Sequence, residues 1–130
     1  MKSGIIYIHN SVYETLLAIS NDEQQSGLMY IDPPVPTMTF VYNKPQINKF
    51  WMKVTKVPLD IIFCNVSKVS EICFGEPYST RVIGSNLLSD LVIELPHGTV
   101  DSTKIKIGHS VGLVKPTFTE LKKIISSLHY

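Results

Sequence analysis

Strand-length apolar segments, many of them alternating with polar residues, make up most of the sequence. Ile5–Ile8 and Val12–Ile19 are rich in β-branched and aromatic residues and flank His9-Asn10-Ser11, so they predict an opening hairpin. Short segments of this kind, separated by frequent turn residues, favour a mainly β fold, a single-domain antiparallel β-sandwich or jelly-roll-like barrel. The other predicted strands are Met38–Tyr42, Phe50–Thr55, Leu59–Cys64, Val69–Phe74, Leu91–Leu95, Lys104–Ile107 and Ser110–Val114.

Two segments have a helical pattern instead. Asn21–Gln25 supplies a capping residue and helix formers ahead of Gly27, which predicts one short helix near residues 22–27. Towards the end of the chain, Thr117 and Glu120 have the spacing of a capping box. Apolar residues then recur at i, i+3, i+4 and i+7 and predict a C-terminal helix near residues 117–128. Its apolar stripe consists of Leu121, Ile124, Ile125 and Leu128.

The C-terminal stripe needs a surface to pack on, because an isolated helix of this length is marginal in water. We therefore divide the chain into a β domain at residues 1–115 and an amphipathic helix at residues 116–130. The helix either covers an open end of the β core or docks on another chain. In the second case the four stripe residues are the candidate partner interface.

Composition excludes several classes of protein. The chain has 130 residues, of which 44% are hydrophobic and 18% charged, and its formal net charge is +1. This balance excludes intrinsic disorder and argues against a general electrostatic grip on nucleic acid or an anionic membrane. No apolar segment approaches the ~18 residues of a membrane span. The apolar start, Met1–Ile8, is too short for a signal peptide, so we expect a cytoplasmic protein as synthesised.

Motifs of disulfide, metal and nucleotide chemistry are missing from the sequence. If Asp60–Asn65 and Val69–Phe74 form a hairpin turning at Val66-Ser67, Cys64 and Cys73 are too far out of register for a disulfide. The histidines lack the spacing of zinc ligands, and no phosphate loop or dinucleotide fingerprint occurs. The sequence therefore predicts reduced cysteines, no metal and no cofactor.

Residues 50–63 carry the most distinctive motif of the chain. Their sequence, FWMKVTKVPLDIIF, resembles the hallmark FWMKNT-x-IPLDI-x-F of the DUF192 family of small proteins. Further family elements follow in the right order, so the resemblance covers roughly residues 12–114. They are Glu23–Met29 (E-x-x-RGLM), Glu76–Ser79 (a Pro/Ser loop), Leu91–Gly98 (VLEL-x-AG) and Ile105–His109 (GI-x-x-GD).

The resemblance implies a compact antiparallel β structure of sandwich or jelly-roll type with one short helix, and no defined reaction. Members of the family are commonly exported or membrane-anchored, which implies an extracytoplasmic binding role. This chain departs from the family pattern at three polar positions: Ser26 replaces the arginine of RGLM, Val54 the asparagine of WMKNT and His109 the aspartate of GD. Since it also lacks an export signal, we expect a divergent member.

The family motif also contains the candidate ligand-binding residues Trp51, Lys53, Thr55 and Asp60. Strand alternation predicts that Phe50, Met52 and Val54 face the core and the first three candidates the other side. An indole beside ammonium groups can hold an anionic or aromatic ligand. Asp60 either pairs with Lys53 or caps a loop amide. Lysines among aromatics occur in single-strand nucleic-acid sites, but also on ordinary strand edges, so no specific nucleic acid is predicted.

Two functions of different classes fit these observations. The first is a non-enzymatic structural or interaction protein, a subunit of a larger assembly such as a virus or phage particle, with a protein partner or self-association. Sparse charge, altered family positions and the added apolar stripe favour it. The alternative is a small-ligand-binding module, or an unrecognised enzyme, working at the face of Trp51, Lys53 and Asp60. No catalytic residue is predicted.

Overall fold

The computed structural model describes residues 1–115, which form seven strands and two short helices. The mainly β character predicted from the sequence is confirmed. The predicted helix near residues 117–128, with Leu121, Ile124, Ile125 and Leu128, lies outside the described residues. The elements in chain order are β1 (Lys2–Ile8), β2 (Ser11–Ala18), α1 (Asn21–Ser26), β3 (Met38–Ile47), β4 (Leu59–Asn65), β5 (Lys68–Gly75), β6 (Leu88–Pro96), α2 (Thr99–Thr103) and β7 (Val111–Val114).

All seven strands belong to one curled sheet in the order β5-β4-β6-β3-β2-β1-β7. Neighbouring strands are antiparallel except β2 and β3, which pair in parallel through Leu16 and Met38. The two ends of the sheet approach each other where Lys68, at the start of β5, bridges to Ser110 beside β7. The sheet is therefore curled into a half-barrel.

The sheet buries apolar side chains on both of its faces, because successive residues of a strand point to opposite sides. The first core contains Phe40, Ile61 and Val92, and the second core contains Ile62 and Ile93. Burial on both faces explains why β4 and β6 read as nearly continuous apolar segments rather than as alternating ones.

Two buried acidic side chains lie on opposite faces of this sheet. The register of β4 and β6 pairs Asp60 with Leu95 and Ile61 with Glu94. Residues directly opposite each other point to the same face. Leu95 belongs to the second core and Ile61 to the first, so Asp60 lies on the second face and Glu94 on the first.

The opening hairpin and the first helix are confirmed. Strands β1 and β2 pair around the predicted turn, with Ile8 opposite Ser11. Helix α1 spans residues 21–26, but its N-cap is Ser20 rather than the expected Asn21. The Ser20 hydroxyl accepts from the Glu23 amide, and the Glu23 carboxylate accepts from the Ser20 amide. This reciprocal capping box fixes where the short helix begins.

The predicted strand Phe50–Thr55 is wrong. Only Phe50 makes a sheet-like bridge, to Ile83, and the following residues form a turn in which the Thr55 amide donates to the Met52 carbonyl. Val54 has a φ of 55°, which a strand does not allow. The turn breaks the expected alternation, so that Met52 and Thr55 are both buried while Trp51 is 49% exposed.

The predicted strand Lys104–Ile107 is also wrong. Residues 104–107 contain no strand. They follow helix α2, which spans residues 99–103 and is capped by Lys104, with a φ of 61°.

The β4–β5 hairpin turns at Val66-Ser67 as predicted, and both residues have a positive φ, as a tight two-residue turn requires. A bulge then shifts its register, so that Cys73 lies opposite Ile61. Both cysteines are free thiols.

Candidate functional site

A cleft of about 570 Å³ opens between α1, strands β3 and β6, and residues 49–55. Its inner wall includes Phe40 and Glu94, whose exposed fractions are 1% and 4%. Its mouth includes Trp51, which is half exposed. The cleft therefore leads from the surface to the first core, where an apolar wall and one acidic side chain meet.

Glu94 is an acid in an otherwise apolar stretch of β6. Its cross-strand neighbours are Met38 on β3 and Ile61 on β4, and both are fully buried. No hydrogen bond or ion pair to the Glu94 carboxyl group exists among residues 1–115. Burial disfavours the charged form and raises the pKa of Glu94 to about 8. At neutral pH the folded protein therefore holds this carboxyl group mainly in its protonated form.

Aromatic side chains form much of the remaining wall. Phe40 and Phe50 meet edge to face, with ring centroids 5.0 Å apart. Tyr42 is partly buried, and both its burial and the negative charge of Glu94 raise the pKa of its hydroxyl group. The Trp51 ring carries the Lys53 ammonium group 5.1 Å from its centroid. These rings offer an apolar surface with electron-rich faces.

The polar residues of the wall are partly engaged by the protein itself. The Gln24 side-chain nitrogen donates to the carbonyl oxygens of Ala18 and Val41, at 3.2 and 2.9 Å, and so holds α1 against the sheet. Within the described residues, no donor bonds to the Gln24 Oε1 atom, which stays available as an acceptor. The Lys49 ammonium group donates to the carbonyl oxygens of Gly84 and Ser85, at 2.9 and 2.8 Å, and thereby anchors the neighbouring loop.

The structure brings together only some of the candidate ligand-binding residues. Trp51 and Thr55 line the cleft, and Lys53 lies over Trp51. Asp60 is on the opposite face of the sheet and does not share a surface with them. The sequence reasoning missed Glu94, although one signal was present, an acidic residue inside the apolar segment Leu91–Leu95.

Asp60 fulfils one of its two predicted roles, the capping of loop amides. Its Oδ2 atom accepts from the amides of Gly98 and Val100, at 3.1 and 2.9 Å, where α2 begins. Its Oδ1 atom accepts from the Nδ1 atom of His97 at 2.8 Å. These contacts, rather than an ion pair with Lys53, account for the buried carboxylate. Asp60 thus orients a half-exposed histidine that the sequence reasoning did not connect to it.

Three further features of residues 1–115 bear on function: possible metal ligands, membrane-spanning helices and the buried thiol of Cys64. Among residues 1–115, no group of three or more histidine, cysteine or acidic side chains is placed to hold a metal ion. No helix in the same range is long and apolar enough to cross a membrane. Burial raises the pKa of the Cys64 thiol to about 12, so this residue is a poor nucleophile.

Comparison with known proteins gives a family and a fold. The model of the DUF192 family, described as "Uncharacterized ACR", matches residues 5–113. A protein of unknown function from Novosphingobium aromaticivorans DSM 12444 is 28% identical, with a TM-score of 0.77 over 83% of this chain and 83% of that chain. A provisionally assigned transcription regulator from Sinorhizobium meliloti 1021 is 24% identical, with a TM-score of 0.81 over 85% and 93%. No curated protein sequence matches significantly.

Proposed function

The chain belongs to the DUF192 family, and we propose that it is a binding protein for a small molecule that enters the cleft above Glu94. The observation that carries this proposal is the buried Glu94 carboxyl group, which lines the cleft without a hydrogen-bond partner among residues 1–115. Its oxygens are open to the cleft, because the fully enclosed side-chain atoms without a partner in the described residues are the Tyr13 hydroxyl oxygen and Asn65 Oδ1. A ligand with a complementary polar group could therefore bond directly to Glu94.

The dimensions and chemistry of the cleft support a small organic ligand. Its volume of about 570 Å³ lies within the roughly 300 to 1,000 Å³ of small-molecule sites. Such sites combine an apolar or aromatic wall with a few polar groups that fix the orientation of the ligand. Here Phe40, Phe50 and Trp51 supply the wall, while Glu94 and Gln24 supply the polar groups.

Fluorescence of Trp51 offers a direct test, because it is the only tryptophan of the chain and lies at the mouth of the cleft. The full chain is titrated with a library of small metabolites, and hits are checked by thermal shift. We expect hits that change the emission of the wild type and lose affinity in Glu94→Gln. The exposed acid Glu76 lies outside the cleft, so Glu76→Gln is the matched control. A library without a single hit would refute the proposal.

An assembly role is a second candidate function, and exposed apolar side chains on the sheet favour it. Ile47 and Leu88 are cross-strand partners at the end of the β3–β6 pairing, and they are 51% and 50% exposed. Leu87, the residue before Leu88, is 54% exposed. A contiguous exposed apolar patch is one of the features that mark protein–protein contacts. A subunit of a larger assembly, such as a virus or phage particle, would bury this patch.

Light scattering of the full chain tests the assembly role. We expect a concentration-dependent oligomer that dissociates when the patch carries a charge, as in Leu88→Lys. A second variant, Leu121→Ser with Ile124→Ser, tests the predicted C-terminal interface in the same assay. A wild type that stays monomeric at every concentration would remove self-association from consideration.

A further inference from the structure

The acidic and the basic side chain that line the cleft differ in how many hydrogen bonds they already make. Among the described lining residues, Glu94 is the acidic group and Lys49 the basic one. The Lys49 ammonium group is held by two carbonyl oxygens and by Oδ1 of Asn86. The Glu94 carboxyl group has no such partner within residues 1–115. Lys49 keeps its charge, but its three N–H donors are all used by the neighbouring loop. The Glu94 carboxyl group can still pair with a cationic group once its proton leaves, so the free hydrogen-bonding capacity of the cleft favours a ligand with an ammonium donor over one with an anionic acceptor.

The other titratable neighbours of Glu94 do not reverse this preference. From β3, Tyr42 is kept neutral because burial and Glu94 raise the pKa of its hydroxyl group. From β4, the facing residue is the apolar Ile61. From α1, the lining residues Asn21, Gln24, Gln25 and Ser26 are all uncharged. The Gln24 Oε1 atom adds a second acceptor to that of Glu94.

The aromatic side chains of the cleft also favour a cationic ligand. A cation within about 6 Å of an aromatic centroid is attracted to the ring face, most strongly when both are withdrawn from water. The Lys53 ammonium group already occupies such a position over Trp51, at 5.1 Å. Phe40 and Phe50 lie deeper in the cleft and have no cation among residues 1–115.

We infer that the ligand is a small organic ammonium ion whose charged nitrogen donates to the Glu94 carboxylate while its apolar body packs against Phe40 and Phe50. This inference rests on the proposed function and specifies its ligand class. The proton balance follows from the state of Glu94. The protonated carboxyl group and the ammonium ion form an ion pair, and one proton leaves the carboxyl oxygen for solvent.

The release of this proton makes the affinity depend on pH. The pKa of Glu94 in the free protein is about 8. Below that value the ligand must displace a proton, so the affinity falls about tenfold for each unit that the pH decreases. Above it the carboxylate is already charged and the affinity levels off. No histidine is among the described lining residues, so this profile reports on Glu94.

Two probes of similar size, one cationic and one neutral, test the inference, namely benzylammonium chloride and benzyl alcohol. Both are titrated into the full chain at pH 6, 7 and 8 by calorimetry and Trp51 fluorescence. The amine stays mainly protonated there, because ammonium groups on a saturated carbon have pKa values above this pH range. We expect benzylammonium to bind at least tenfold more tightly than benzyl alcohol at pH 8, to gain about tenfold between pH 6 and 7, and to release a proton.

The variants separate charge recognition from the cleft itself. Glu94→Gln should lose both the preference and the pH dependence while it still binds benzyl alcohol, and Glu76→Gln should behave as the wild type. The wild-type pH profile needs no variant, so it decides the matter even if Glu94→Gln fails to fold. Equal or tighter binding of benzyl alcohol, or no binding of benzylammonium, would overturn the inference. Library hits that are neutral would then leave the proposed function standing, whereas no hits at all would remove both.

Discussion

Replacing Glu94 by glutamine should make the folded protein more stable, and the gain should grow with pH. In the unfolded chain the pKa of Glu94 is close to its ordinary value of 4.5, whereas in the folded chain burial raises it to about 8. Below pH 4.5 the carboxyl group is protonated in both states and its ionisation contributes nothing. Between the two values only the unfolded chain ionises, so rising pH favours unfolding. Above pH 8 both states are ionised and the loss of stability is complete.

The magnitude follows from the linkage between proton binding and folding. While only the folded state keeps the proton, the free energy of unfolding falls by about 1.4 kcal/mol for each pH unit. Over the interval between the two pKa values, Glu94 therefore removes roughly 3 to 6 kcal/mol, a large part of the stability of a typical domain. Glutamine does not ionise, so the free energy of unfolding of Glu94→Gln lacks this decrease with rising pH.

Urea unfolding of the full chain at pH 5, 6, 7 and 8 measures the effect. The quantity of interest is the difference in the free energy of unfolding between wild type and Glu94→Gln, because the other titrating groups cancel in it. We expect the difference to shift in favour of the variant by about 1.4 kcal/mol per pH unit between pH 5 and 7, and by less between pH 7 and 8, where the folded state also begins to ionise. Glu76→Gln, at an exposed position, should show no trend. Parallel curves for wild type and Glu94→Gln would refute the reasoning that Glu94 is buried and uncompensated.

Three further predictions concern other parts of the molecule. Asp60→Ala should lower the free energy of unfolding in urea by roughly 2 to 4 kcal/mol, because two partly buried backbone amides lose their acceptor, and Asp60→Asn should lose less. Gly75→Ala should cost about 1 to 3 kcal/mol in the same assay, since a Cβ atom there would lie 2.6 Å from the Sδ atom of the fully buried Met52. The control Gly112→Ala enters open space and should stay within about 0.5 kcal/mol. Burial raises the pKa of the half-buried Cys73 thiol to about 11, so its alkylation by iodoacetamide at pH 8, followed by mass spectrometry, should be at least tenfold slower than in urea.

The parts of the fold that depend on local signals were predictable. The β1–β2 hairpin follows from β-branched segments on either side of His9-Asn10, and α1 follows from helix formers that end at Gly27. The segment 50–55 shows the opposite case. It alternates like a strand, but a turn and the positive φ of Val54 override that pattern. The backbone of Phe50 and Met52 bonds to the distant residues Ile83 and Ser79, which the local pattern does not reveal.

The candidate site was predictable only in part. Trp51 and Thr55 were identified through the family motif, and both line the cleft. The importance of Glu94 could not be read from β6 alone, because its burial depends on Met38 and Ile61, which come from segments far away in the chain. The pairing of Asp60 with His97 is missed for the same reason, since the two residues are 37 positions apart.

The position of β6 in the strand order has a consequence for how the chain folds. The β1–β2 and β4–β5 hairpins join segments that are neighbours in sequence, and such local contacts form early. Strand β6 lies between β3 and β4, so these two strands join the same stretch of sheet only when residues 88–96 insert and pair with both of them. That insertion also carries Glu94 into the first core. The strand that links β3 to β4 thus also brings the ionisable group of the cleft, so the centre of the sheet and the acid of the site depend on the same nine residues.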